Sequence, residues 1–336
     1  MRGAHFLITI LLLSPAFPVW GEGSPPLMLA QTIPLSGVEG RIDHLALDSA
    51  NQRLFLAALG NDTVEVIDLK AGKRVQTIRD LHEPQGVLFV ENKLLIASGQ
   101  GGDVNLLDGA SFKHIETIHF SDDADNLRYD SADAAVYVGY GAGALGLIDL
   151  KTLKRSGDIF LGGHPESFQL ESLGRRIFVN LPPDRIAVVD KQDRKIIAKW
   201  SLIASGLSFN YPMALDETHH RLFIASRIPA RLVVFDSESG KVVAKLSCAG
   251  DPDDIFYDQK LKRIYVSGGD GSISIFEQTD ADHYRLLSNV LTADGARTSL
   301  FDPKSGRLYL AVPHRGKQPA EVRVYATQPE TIAPAR

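Results

Sequence analysis

"LALDSANQRLFLA", residues 45–57, is the stretch that decides the fold. A short apolar run enters, an acidic residue opens a polar turn, a basic residue closes it, and a second apolar run leaves. Apolar runs this short, bounded by Asp, Asn and Ser, read as strands joined by a turn. The same order returns as "LRYDSADAAVYVG" (127–139), "FQLESLGRRIFVN" (168–180), "MALDETHHRLFIA" (213–225), "IFYDQKLKRIYVS" (255–267) and "SLFDPKSGRLYLA" (299–311). A shorter copy, "LFVENKLLIA" (88–97), follows the first. Seven copies result, spaced roughly 40 to 47 residues apart, which is the period of a propeller blade.

Outward from each copy the pattern continues. A third strand follows, as in "TVEVIDL" (63–69) and "RLVVFDS" (231–237), then a polar turn and a fourth, as in "KHIETIHF" (113–120). No segment of the mature chain keeps a helical period. The seventh unit ends at "EVRVYAT" (321–327) without a fourth strand. Near the start of the mature chain, however, stands "LAQTIPL" (29–35), which shares Gln-Thr-Ile with "VQTIRDL" (75–81). The expectation is an all-β, seven-bladed β-propeller of four-stranded blades over residues 22–326. The N-terminal strand pairs into the last blade, closing the ring and removing two open edges.

"YVGY" (137–140), "IFVN" (177–180) and "YVSG" (265–268), with "VIDLKAGKRV" (66–75) and "VVFDSESGKVV" (233–243), resemble the YVTN-repeat, or YncE-like, β-propellers. The resemblance covers almost the whole mature chain and implies the fold and repeat type. Relatives built on such blades include binding proteins, lactonases, lyases and redox subunits, so the chemistry has to be argued from the site.

The chain has 336 residues and a formal net charge of -5, which gives no reason to expect nucleic acid. Arg2, the apolar "FLITILLLSPAF" (6–17) and small residues near Gly21 read as an export leader over residues 1–21. The run is short and broken by Pro15 and Pro18, so no membrane span is expected in the mature chain. A periplasmic or secreted monomer is the expectation, with a fraying tail over 327–336. Cys248 is the only cysteine, so an intrachain disulfide and Cys-based zinc or redox motifs are excluded. Its apolar surroundings in "KVVAKLSCAG" (241–250) read as a small buried residue.

The function-bearing positions follow from phase. In a propeller the first strand of each blade lines the central channel, and the residues just before it stand at one mouth. Aligning the blades gives Asp43 and His44, Gln85 and Gly86, Asp125 and Asn126, Glu166 and Ser167, Tyr211 and Pro212, Asp253 and Asp254, and Arg297 and Thr298. His164 stands close to this set. The loops between second and third strands emerge on the same face, with Arg227 and Arg231 in blade 5 and His314 and Arg315 in blade 7. An acidic floor under a basic rim suits a small anionic ligand or a protein partner. Asp43, Asp125, Glu166, Asp253 and Asp254 are also the candidate ligands of a divalent cation. The leading reading is non-catalytic binding at the mouth. The alternative is a metal-dependent, lactonase-like hydrolase or lyase with His44 or Glu166 as base. A scaffold for a redox system is a third reading. The acids Asp48, Asp130, Glu171, Asp216, Asp258 and Asp302 fall on the opposite face and read as turn formers.

Overall fold

The computed structural model describes residues 25–141 and 143–329; the expected leader lies outside these residues. Blade 1 is the antiparallel sheet Leu45–Asp48, Arg53–Ala58, Thr63–Asp68 and Lys73–Ile78, in that order from the channel outward. Blades 2 to 6 repeat this order. The seventh runs Ser299–Asp302, Arg307–Val312, Glu321–Thr327 and then Leu27–Pro34 from the chain start. The closing strand pairs in register, with Gln31 opposite Val324 and Ile33 opposite Val322. The last strand ends at Thr327, opposite Leu27, one residue into the segment read as tail.

Burial follows position in the blade. Second and third strands are covered on both faces by neighbouring blades, so they read as continuous apolar runs; Phe55, Leu56, Val64 and Val66 are wholly buried. Outer strands cover one face only, and Lys195–Ser201 alternates exposed and half-buried positions with the period of two of a pleated strand. The core is divided into seven apolar clusters, one at each blade junction. Ile33, Val322 and Val324 of blade 7 pack with Leu54 and Leu56 of blade 1 in one of them.

On the face opposite the mouth the turn acids do more than shape turns. Asp48 accepts the Asn51 backbone N–H at 3.1 Å and both Nε and Nη2 of Arg53 at 2.9 and 2.6 Å. Arg53 then reaches into blade 2 and donates to the Gly109 carbonyl at 2.7 Å. Arg176 and Arg221 repeat the reach, donating to the Ser237 and Ala281 carbonyls of the following blade. Asp48 and Glu171 thus orient guanidiniums that strap one blade to the next, while Arg221 is held by Asp236 and Asp282. Cys248 is half-buried rather than fully buried and packs on the blade 5–6 cluster, where burial pushes its thiol up to about 12.

Candidate functional site

Local backbone geometry brings the mouth residues inward. Two to four positions before each mouth pair stands a residue with left-handed φ: Gly40, Glu83, Asp123, Gly162, Phe209, Asp251 and Gly295. Gly and Asp take this conformation readily, but a bulky residue such as Phe209, at +60°, holds it only under constraint from its surroundings. The ladder between first and second strands then slips between Pro84 and Val87, Ala124 and Leu127, Asn210 and Met213, and Pro252 and Asp254. In blades 2, 3 and 5 both mouth residues are thus the bulged ones, and in blade 6 Asp253 is. A bulge frees a side chain from the pleat and re-aims it. Gly86 is required by contact, since a Cβ there would lie 1.8 Å from the Asp125 carbonyl oxygen.

One cavity gathers ten of the expected residues: Asp43, His44, Asp125, Asn126, Glu166, Ser167, Tyr211, Pro212, Asp253 and Asp254. The others stand around it. Gln85 donates to Asp123 at 2.8 Å, and His164 contacts the Gly141 carbonyl at 2.7 Å. Arg297, Thr298, His314 and Arg315 line a neighbouring cavity between blades 7 and 1. Arg231 donates to the Ala230 carbonyl and lines neither cavity.

Within most pairs the two residues divide their roles. The second member stitches its blade to the next. Asn126 donates to the Glu166 carbonyl, Ser167 to the Tyr211 carbonyl, and Thr298 to the Ile42 carbonyl, while Asp254 accepts the Ser299 backbone N–H at 2.7 Å. The first members, Asp43, Asp125, Glu166 and Asp253, supply the charge. Asp43 is paired with Arg41 at 2.6 Å. Asp253 is gripped by Arg227 and Arg297, and the same two guanidiniums hold Asp251 at 2.9 and 2.8 Å. The Arg227 guanidinium also lies 3.9 Å from the centre of the Tyr211 ring. Among the described residues no three His, Cys, Asp or Glu side chains are grouped to hold a metal ion. The five candidate ligands reach the mouth from four blades, and Asp43, Asp253 and Asp254 are engaged by Arg41, by the two clamping arginines and by a backbone amide.

These contacts do not fully neutralise the buried acids. Burial raises Asp254 and Glu166 to about 7 and Asp43 to about 6; neighbouring carboxylates add to the rise, against the pull of His44 on Asp43 and Asp254. For His44 burial opposes charge, but contact with Asp125 and the fields of Asp43 and Asp254 outweigh it and hold the imidazolium up to about 10. His44 Nε2 stands 3.5 Å from Asp125 Oδ1 and 3.8 Å from Asp43 Oδ1, long for hydrogen bonds. Asp125 Oδ1 and Asn126 Oδ1 are buried without a hydrogen-bond partner among the described residues. Buried acceptors are normally satisfied, so this pair needs a reason.

Sequence reasoning missed Arg41, Arg128, Gln169 and Phe256, which also line the cavity. A signal for three of them was present. Side chains alternate along a strand, so the residue two beyond Asn126, Ser167 or Asp254 faces the channel again. Asp251 was missed because its place in the arginine clamp depends on two other blades.

No family model matches the chain. The uncharacterised protein YncE of Salmonella typhi is 23% identical over 212 residues, covering 61% of this chain and 58% of that protein. YncE of Escherichia coli K12 is 28% identical over 132 residues, covering 38% of this chain and 35% of its own length. The match thus spans little more than half of these relatives at most. A chain of Kuenenia stuttgartiensis hydrazine synthase superposes with a TM-score of 0.70 at 14% identity, covering 82% of this chain and 94% of that one. That likeness shows the fold alone. No helix among the described residues is long and apolar enough to cross a membrane. In architecture the chain is a seven-bladed β-propeller, and in sequence it is similar to the YncE proteins.

Proposed function

We propose that the protein is an exported, non-catalytic propeller that binds a small polar molecule at the mouth of its central channel. The observation that carries this reading is the pair of buried acceptors without a hydrogen-bond partner among the described residues, Asp125 Oδ1 and Asn126 Oδ1, in a cavity to which four blades contribute carboxylates. A rigid ring with unsatisfied hydrogen-bonding capacity at its centre is a preorganised binding site. Export rests on Arg2 and the apolar run after it. The preference for an anion drew on the basic rim. In the structure Arg227 and Arg297 are spent on Asp251 and Asp253, His314 pairs with Glu39 at 2.6 Å and Arg315 with Asp294 at 3.0 Å. The rim therefore offers an anion much less free charge than its composition suggests.

The test is a thermal-shift screen of small polar compounds (amines, amino acids, carboxylates and sugars) on the mature protein and on Glu166→Gln. A ligand at a hundred times its Kd adds about 2.7 kcal/mol to stability, enough for a shift of several degrees. The expected result is at least one compound whose shift shrinks in the variant. Shifts identical in both proteins would place binding away from the mouth and contradict the reading.

A further inference from the structure

The channel continues below the mouth. The mouth cavity, of 60 Å³, and a lower chamber, of 460 Å³, share His44, Asn126, Arg128, Gln169, Asp254 and Phe256, which form a waist between them. Above the waist the wall is ionisable. Below it the first strands present Leu47, Leu88, Phe89 and Leu300, each only half-buried, so apolar surface faces the chamber. The mouth has room for a few water molecules or one small head group. The chamber has the size of a small-molecule pocket, with an apolar middle between the polar groups of the waist and Ser49 and Asp302 at the far end.

Charge and hydrogen bonding specify the head group. The mouth cavity is lined by the carboxylates Asp43, Asp125, Glu166, Asp253 and Asp254 against Arg41, His44 and Arg128; Asp253 is held from outside the cavity by Arg227 and Arg297, so four carboxylates face three cations once Glu166 and Asp254 ionise, above about pH 7. The Arg128 guanidinium turns aside to the Leu127 carbonyl, at 2.9 Å, and to the Phe168 ring. Among the described residues Asn126 Oδ1 has no hydrogen-bond partner and Asp125 Oδ1 has only the long contact to His44 Nε2 at 3.5 Å, so both call for a donor. The Asn126 amide cannot turn to meet an acceptor, because its Nδ2 is committed to the Glu166 carbonyl.

We propose that the ligand of this channel is an amphiphilic organic cation: a protonated amine or amidinium at the waist, donating to Asn126 and Asp125, with an apolar body in the lower chamber. This inference rests on the channel being a binding site and names the class of its ligand. It makes the two ends of the channel one site, polar at the mouth and apolar below the waist.

The experiment is calorimetric titration of the mature protein with straight-chain primary amines from propylamine to octylamine, and with alkanoates of the same lengths. The expected result is amine binding that tightens about fourfold per added methylene, the factor for burying one CH₂, with alkanoates binding far more weakly. Leu88→Gln should lower the affinity for octylamine more than that for propylamine. Alkanoates binding as tightly as amines would overturn the cationic head. Propylamine binding without a gain along the series would overturn the lower chamber and leave the mouth site standing. Binding of some other polar compound through Glu166, with no amine bound, would likewise overturn this inference alone. Silence from every class of compound would take the channel reading down with it.

Discussion

His44 lies between two carboxylates, with Nε2 3.8 Å from Asp43 and 3.5 Å from Asp125, and its proton is held by their combined field. The sign of the pH dependence follows. Its folded pKa of about 10 lies above the unfolded value, so its stabilisation is complete below about pH 6.5 and is lost as pH rises towards 10. Asp43, Glu166 and Asp254 are raised as well, to between about 6 and 7, so the native state holds their protons more tightly than the unfolded chain does. That contribution is present at about pH 4 and is gone by about pH 8. Both effects lower stability as pH rises from 5 to 8. Asp254→Asn keeps an acceptor for the Ser299 amide and removes the ionisation. Its melting temperature should exceed that of the native protein at pH 8 and converge with it at pH 5; parallel curves would show that Asp254 does not ionise in a buried setting. At this scale the sequence was half legible. Phase alone placed Asp43, Asp125, Glu166 and Asp253 at one mouth. It could not show that Arg227 and Arg297 close on Asp251 and Asp253, because those pairings join blades 5, 6 and 7 across positions far apart in the chain.

The closing strand Leu27–Pro34 shows which parts of an element can be read in advance. The shared Gln-Thr-Ile was enough to assign it to the open edge of blade 7, since a fourth strand was missing there. Its bulge between Leu29 and Gln31 left no trace in composition. Along the strand Leu27 and Ile33 are buried while Met28, Leu29 and Thr32 are exposed, so its contribution is concentrated in two side chains. Ile33 belongs to the blade 7–1 cluster, with Val322 and Leu54. Ile33→Ala should cost about 2–5 kcal/mol in denaturant unfolding, whereas Thr32→Ala should change stability by less than about 0.5 kcal/mol. Equal and small effects would mean that the strand is not needed to close the ring. The arginine straps were not legible as such. Asp48 and Glu171 read correctly as turn residues, but the reach of Arg53 to Gly109 and of Arg176 to Ser237 becomes visible only when consecutive blades stand side by side.

For the whole molecule, repetition made the ring legible and hid its centre. Seven similar units can bury their apolar faces only against one another, and the seven junction clusters are the outcome. Function sits where the repeats differ. Blade 2 brings Gln85 and Gly86 to the mouth, blade 5 Tyr211 and Pro212, and blades 1, 3, 4 and 6 bring acids, so charge gathers unevenly around a symmetric frame. The lower chamber had no sequence signature, because Leu47, Leu88 and Leu300 look like any other strand residues until the ring exposes them to the channel. The central claim is that this channel is a ligand site, and the most direct measurement is a crystal structure of the mature protein with a compound that raises its melting temperature. The account predicts ligand density at the waist, within hydrogen-bond distance of Asn126 Oδ1 and Asp125 Oδ1. Density confined to the blade junctions or the turns of the opposite face, with the waist holding water alone, would contradict it.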